Sequence, residues 1–514
     1  MYKKFSRLAA LALATIILSS TTVYAETTRR FNYTYGGITF IENTVSAFEL
    51  ARVIDRSYLP VPFERADDIN VGGGRIFIAD SLAGRVNVLC AYDYSFITSL
   101  RLMRDPDGRI STDPATGEQV MLDSPEGVFF NESLNLLFIA DTAAERIVVL
   151  NGDDYTLVTE ITRPYNMVGN TAFRPNRLVV DDAGRIFFLV HGSSEGIVVL
   201  EPDGDFARYF GTNRPSMSPI EFFWRSMATA EQREQMARSF APPFSGIDID
   251  PSGFIYATTA DNSVQQMIFR FNARGDNVIR DTGFVGLRGD VVIFFSDLAY
   301  QSEFQAVSVT DFGVYAVVDS VRGRVWVYDF DGHIISIFGQ LSDTLGGLRE
   351  PSSLAWNGFD LLLADRAMGV INVYTPNRFG HAALMANYHA YHGNWDEATQ
   401  YYRAAVSLNA TFYAAYSGIG RNYLMQRRYR EAMYYFDLAF DQEGYSRAWQ
   451  GRRGELIADW FPLIAIIIVS LSVLLIYSEA RYLRKAAYQE GRTNKKVKSK
   501  KECKTKQSEE AVNV

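Results

Sequence analysis

Five histidines, two cysteines and a recurring set of aspartates are the residues of this 514-residue chain that could carry chemistry. His389 and His392 stand three apart in helical sequence, so both rings could reach one metal ion, but no carboxylate or cysteine nearby completes a ligand set. Packing or surface exposure in an aromatic-rich helix is the plainer role for the pair. His191 and His333 fall in strand-rich sequence and His381 in helical sequence. No Ser-His-Asp, phosphate-loop or zinc spacing stands out, so the expected catalytic set is empty. Asp80, Asp141, Asp319 and Asp365 could suggest a ring of oxygen ligands. Their recurrence follows a structural repeat, however, and the reading adopted is that each caps a hairpin turn by accepting backbone N–H bonds. Cys90 lies in an apolar strand pattern and reads as core, while Cys503 lies in a basic tail.

The elements that position these residues repeat along the chain. RIFIADSLAGRVNVL from Arg75, LLFIADTAAERIVVL from Leu136, RIFFLVHGSSEGIVVL from Arg185, FIYATTADNSVQQMIFRF from Phe254, GVYAVVDSVRGRVWVY from Gly313 and DLLLADRAMGVINVY from Asp360 each read as two strands around a polar turn. A shorter strand precedes each hairpin, and a further outer strand is expected after each, as in SFITSL from Ser95 and IISIFG from Ile334. A four-stranded unit of roughly 40 to 50 residues repeated six times predicts a mainly β chain, a six-bladed β-propeller over about 39–375.

The Asp-Ser or Asp-Thr endings followed by a basic-apolar strand resemble NHL-repeat propellers. The clearest copies are Ile78-Ala79-Asp80-Ser81 with Gly84-Arg85-Val86, Ile139-Ala140-Asp141-Thr142 with Arg146-Ile147, and Val318-Asp319-Ser320 with Gly323-Arg324-Val325. Blades three and four depart from the pattern, with His191 and Thr259 near the Asp position. A second resemblance, to calcium-dependent lactonase propellers of the gluconolactonase class, rests on Ser124-Pro125-Glu126-Gly127 and Arg174-Pro175-Asn176. It implies Glu126 and Asn176 as calcium ligands. Blade four reads Phe244-Ser245-Gly246 where that family presents an Asn, so the set is half complete and no cofactor is the principal expectation.

A helical insertion is expected at about 206–243, with Thr229 and Gln232 as a capping box and Phe222, Phe223 and Trp224 as candidate partner contacts. Over 380–457, Ala398, Tyr402 and Ala405 recur 34 residues later as Ala432, Phe436 and Ala439, which resembles tetratricopeptide repeats. Family position carries Asn387, Tyr391, Arg421 and Met425 onto a peptide-binding face, against the alternative of a rigid stalk.

The chain ends set the expected topology. A basic start, an apolar run from Leu8 to Leu18 and Val23-Tyr24-Ala25 predict a signal peptide over 1–25. Phe461 to Tyr477 carries no charge and makes about 25 Å of helix, so 460–477 is the expected span, flanked by Trp460 and Tyr477. The basic tail, 478–514, is expected in the cytoplasm and the bulk of the chain outside a plasma membrane. Between these basic ends the body carries a net charge of -17, which disfavours nucleic acid. The expected function is a membrane-anchored scaffold binding a protein partner, with a lactonase-like hydrolase and a carbohydrate binder as alternatives. The carbohydrate reading would need Trp224, Trp326 or Trp356 exposed on one propeller face.

Overall fold

The computed structural model describes residues 45–510 except 56–57, 59, 61, 113–118, 168–171, 194, 212–226, 228–242, 262–265, 281–286, 288, 290–301 and 345. The expected signal peptide, Phe222, Phe223, Trp224 and the capping box at Thr229 lie outside the described residues. The chain enters as β1 (Phe48–Ile54). Blade one follows as β2 (Ala66–Gly72), β3 (Arg75–Asp80), β4 (Arg85–Cys90) and β5 (Phe96–Leu100), and blade two as β6 (Pro125–Asn131), β7 (Leu136–Asp141), β8 (Arg146–Asn151) and β9 (Leu157–Ile161). Blade three is β10 (Pro175–Val180), β11 (Ile186–Val190), β12 (Ile197–Leu200) and β13 (Phe206–Phe210); blade four is β14 (Phe244–Ile249), β15 (Ile255–Thr259) and β16 (Ile268–Phe271). Blade five is β17 (Phe304–Val309), β18 (Tyr315–Asp319), β19 (Arg324–Tyr328) and β20 (Ile334–Phe338), and blade six is β21 (Pro351–Asn357), β22 (Asp360–Asp365) and β23 (Val370–Pro376).

The six expected hairpins are therefore present and the fold is a six-bladed propeller. Two details differ from the sequence reading. The outer strand of blade six does not follow its hairpin but is β1, antiparallel to β23 with Phe48 opposite Pro376. Phe206–Phe210, expected at the start of the insertion, pairs with β12 as an outer strand instead. Blade four has three strands among the described residues, with Val278 N–H donating to the Arg270 carbonyl at its edge.

Branched and aromatic side chains fill the gaps between blades, so each sheet buries both faces. Ile69, Ile76 and Leu89 of blade one pack with Leu362, Ile371 and Val373 of blade six, which shuts the ring. Phe77 and Val88 pack with Val128, Phe130 and Ile139 of blade two in the same way. Close approach demands glycine at Gly127, where an added Cβ would lie 2.6 Å from the Asn176 carbonyl oxygen. Gly127→Ala must therefore push two inner strands apart. We expect a loss of about 1–3 kcal/mol, read as a lowered thermal midpoint, and an unchanged midpoint would contradict the packing.

Five helices follow: α1 (Arg378–Tyr391), α2 (Trp395–Leu408), α3 (Tyr413–Met425), α4 (Tyr429–Leu438) and α5 (Gln442–Glu510). The recurring residues Ala398, Tyr402, Ala405, Ala432, Phe436 and Ala439 are all buried, as small-large-small helix packing requires. The chain divides into two compact units, the first reaching Asn422 and including Leu438–Phe440, the second comprising Tyr423–Asp437 and the chain from Asp441.

Within the first unit, α1 is fixed to the propeller. Asn377 caps the helix by accepting from Gly380 N–H at 3.0 Å and donates to the Ser46 carbonyl at 2.5 Å. Rings of the propeller turns meet the helix at Phe312 with Tyr388, Phe330 with Tyr391 and Phe359 with His381, at centroid distances of 5.6, 5.9 and 5.7 Å. Asp331, buried in the turn after β19, pairs with both Arg280 and Arg421.

Within the second unit, Ala432, Phe436 and Ala448 form a small core. The long α5 carries the one segment among the described residues that is long and apolar enough to cross a membrane. Its Ser472 hydroxyl donates back to the Ile468 carbonyl at 2.8 Å, which hides a polar group that hydrocarbon would not solvate.

Candidate functional site at the propeller axis

Each inner strand breaks register after its first residue, so one extra residue bulges from every blade: Asp67, Glu126, Asn176, Ser245, Gln305 and Ser352. A bulge re-aims a side chain and ends regular pairing. All six bulged residues are polar, so repetition of one irregularity builds a polar ring at the mouth where the inner strands begin.

Much of that ring is stitched from blade to blade. Ser245 donates to the Phe304 carbonyl at 2.5 Å and Ser352 to the Ala66 carbonyl at 2.7 Å. Asp67 accepts from Ser81 and pairs with Arg366 at 2.6 Å and Arg65 at 3.3 Å. Glu126 meets His191 of blade three, Oε2 to Nε2, at 2.5 Å. Burial of Glu126 opposes its ionisation. The His191 ring, with Arg65 and Arg366 beyond it, outweighs that burial and holds the carboxyl below the usual glutamate range. The Asn176 Oδ1 is buried and accepts no hydrogen bond from the described residues.

Below the ring, Arg177 reaches across the channel. Its guanidinium pairs with Asp68 at 2.5 Å and donates to the Asp67 carbonyl at 3.1 Å and the Ser352 carbonyl at 2.7 Å. Ser353 donates to the same Asp68 oxygen at 2.7 Å, and the other oxygen accepts from Val128 N–H at 3.0 Å. One cation thus ties blade three to blades one and six. At the opposite mouth the channel opens into a cavity of about 370 Å³, lined by Asp248, Asp250, Asp311, Phe129 and Trp356 among others. Asp248 accepts from Val309 N–H at 2.8 Å and from Ile249 N–H at 2.9 Å, and burial pushes its carboxyl up to about 7.

The candidate residues named from sequence divide sharply. Glu126 and Asn176 occupy equivalent bulges on adjacent blades, whose inner strands approach closely where Gly127 faces the Asn176 carbonyl. Among the described residues no group of three or more His, Cys, Asp or Glu could hold a metal ion. Glu126 is engaged by His191 instead. His389 and His392 share no site either: His389 stacks on Tyr401 and His392 Nδ1 contacts the Tyr388 carbonyl at 2.7 Å.

The recurring aspartates do accept backbone N–H bonds, but chiefly from the segment that enters the inner strand; among the described residues, hairpin-turn N–H groups reach only Asp319, from Val321, and Asp365, from Met368. Asp80 accepts from Arg65 N–H at 2.9 Å, Asp141 from Ser124 N–H at 2.9 Å, Asp319 from Glu303 N–H at 3.2 Å and Asp365 from Arg349 N–H at 2.6 Å. In blade three the register puts Val190, not His191, at the capping position, opposite Pro175. That frees His191 to reach Glu126.

The expected peptide face of the helices is already occupied in part. Asn387 is buried and donates to the Ala383 carbonyl at 2.9 Å, Tyr391 lies on Phe330 and Arg421 on Asp331, whereas Met425 is exposed. Trp326 and Trp356 are buried, so neither supplies the exposed stacking surface that a carbohydrate reading asked of them, and Trp224 lies outside the described residues. Arg177, Asp68, Ser353 and Asp248 escaped the sequence reading. The visible signal of the three ionisable ones is a charge inside an apolar inner strand, as in PNRLVV and FSGIDI, and Ser353 leaves none.

No protein-family model matches this chain, and no curated protein matches it. Among solved structures, selenomethionine-substituted virginiamycin B lyase from Staphylococcus aureus aligns at 12% identity with a TM-score of 0.39, covering 64% of this chain and 100% of that one. The Cps50 (Swd1) β-propeller domain of Myceliophteria thermophila aligns at 10% and 0.38, covering 64% and 100%. Kuenenia stuttgartiensis hydrazine synthase aligns at 12% and 0.36, covering 62% and 98%. At such values these are resemblances that transfer no activity to the chain.

Proposed function

We propose that this chain is a membrane-tethered recognition scaffold whose propeller binds another protein outside the plasma membrane, with the helices serving as a stalk. The observation that carries this reading is the contact of Phe330 and Asp331 with Tyr391 and Arg421, because it spends in cis the side chains that a peptide groove would use. Large loops on a rigid β disk suit binding without chemistry. Leu82 and Tyr165, exposed beyond the ends of β3 and β9, present apolar surface at the face where the polar ring opens. The apolar segment of α5 supplies the single span, and the basic residues after Tyr477 orient it with the tail inside.

The test is photocrosslinking in cells from single sites in the full chain. A probe at Tyr165 or Leu82 should yield one discrete heavier product, and a probe at the groove residue Tyr391 none. Products from Tyr391 alone would reverse the assignment of binder and stalk.

A further inference from the structure

We propose that the cavity at the channel mouth opposite the bulged ring binds a small organic cation with separated ammonium groups, a diamine or polyamine, through Asp248 and the carboxylates around it. This inference does not rest on the protein partner proposed above. All six blades contribute to the walls, from Asn70 of blade one to Trp356 of blade six. At about 370 Å³ the cavity falls in the range of small-molecule sites, roughly 300–1,000 Å³.

Three observations select the ligand, and the first comes from the repeat. Three residues beyond the bulge, five inner strands place Asn70, Phe129, Asp248, Ser308 and Ala355 on the cavity. Asn70 Oδ1 accepts from Phe130 N–H of the next blade at 2.9 Å, and Asp248 accepts from the equivalent Val309 N–H at 2.8 Å. A neutral amide thus meets the stitching task between blades one and two, so the negative charge of Asp248 is surplus to it. Asp68 has Arg177 as its counter-ion. The groups that act most strongly on Asp248 are its hydrogen-bond donors Val309, Ile249 and Ser308 and the repelling Asp68, with no cation among them. A cation brought into the cavity would supply the missing partner.

The second is the charge of the walls. Glu132, Asp182 and Asp311 add carboxylates, and neither lysine nor arginine lines the cavity among the described residues. Asp181 and Asp250 line it too, but they are neutralised by Arg185 and Arg270. Nowhere among the described residues do three such groups gather where a metal ion could sit. Charges spread in this way suit a ligand whose own charges are spaced along a chain, whereas a compact divalent ion needs several oxygens at once.

The third is the apolar share of the lining. Val71, Phe129, Val180, Ile249 and Trp356 give methylene spacers a surface to bury against, and aromatic rings attract ammonium groups. An anion would be repelled, and a neutral polyol would leave the Asp248 carboxylate uncompensated.

Equilibrium dialysis of the full chain in phosphatidylcholine nanodiscs, with empty nanodiscs as the blank, tests the site with putrescine, cadaverine and spermidine as probes and magnesium as a compact competitor. We expect at least one amine to bind, with an affinity that rises about tenfold from pH 6 to pH 8 as Asp248 ionises near pH 7, a range in which aliphatic amines stay largely protonated. Asp248→Asn should weaken binding at least tenfold at pH 8 and abolish the pH dependence, with circular dichroism showing the variant folded. Asp311→Asn, at an exposed position of the lining, should weaken it about threefold. Asp107→Asn, in the loop between β5 and β6 and outside the lining, should change nothing. Absence of binding by all three amines would overturn the proposal. So would binding that survives Asp248→Asn unchanged, or that magnesium displaces at equal concentration.

Discussion

Arg177→Ala is expected to cost the propeller about 3–5 kcal/mol, among the largest losses any single substitution in this chain should produce. The guanidinium is buried and spans three blades, so its removal leaves the Asp68 carboxylate in the channel without a counter-charge and leaves the carbonyls of Asp67 and Ser352 short of donors. Denaturant unfolding followed by the fluorescence of buried Trp326 and Trp356 measures it. The double variant Arg177→Met with Asp68→Leu should recover much of the loss, because an apolar pair of similar volume escapes the desolvation that the ion pair suffers. A cost below about 1 kcal/mol for Arg177→Ala would mean that the ion pair does not brace the channel.

Asp248→Asn should gain on the wild type as pH rises. Burial raises the Asp248 carboxyl from 3.8 to about 7 against hydrogen bonds from Val309, Ile249 and Ser308, with Asp68 adding to the rise. The folded chain therefore holds a proton that the unfolded chain releases between those values. Stability falls as pH rises through that window and levels off above it. Asparagine never ionises, but its amide nitrogen cannot accept the backbone N–H that one Asp248 oxygen takes, so the variant should lie below the wild type under pH 4 and gain on it by at most about 4 kcal/mol by pH 8. Chemical denaturation midpoints at pH 5 and pH 8 decide the matter. A variant with no greater advantage at pH 8 than at pH 5 would remove Asp248 as a source of acid stabilisation.

These two residues also mark where sequence reasoning stops. The hairpins were legible because Asp80, Asp141, Asp319 and Asp365 recur at the same place in four of the six blades, each holding backbone N–H groups at the entrance to its own inner strand. Glu126 and Asn176 were legible only through family resemblance. The bulges that unite them with Asp67, Ser245, Gln305 and Ser352 are one-residue register shifts that leave no mark in composition or periodicity. Arg177 and Asp68 lie 109 residues apart, too far for spacing to pair them. Tyr391 and Arg421 were assigned to a peptide face by family position, but the turn carrying Phe330 and Asp331 arrives from another part of the chain. Tertiary contacts of that range have no local signature.

The pairing of β1 with β23 also sets a timetable for biosynthesis. Phe48 leaves the ribosome long before Pro376, so the first of the described strands to be made waits for nearly the whole propeller before it finds its neighbour. During that interval its edge is open to any other nascent strand, and the ring cannot shut until blade six has followed. Closure across so long a loop makes for slow folding, and a chain arrested within blade five would carry an unpaired first strand rather than a smaller finished propeller.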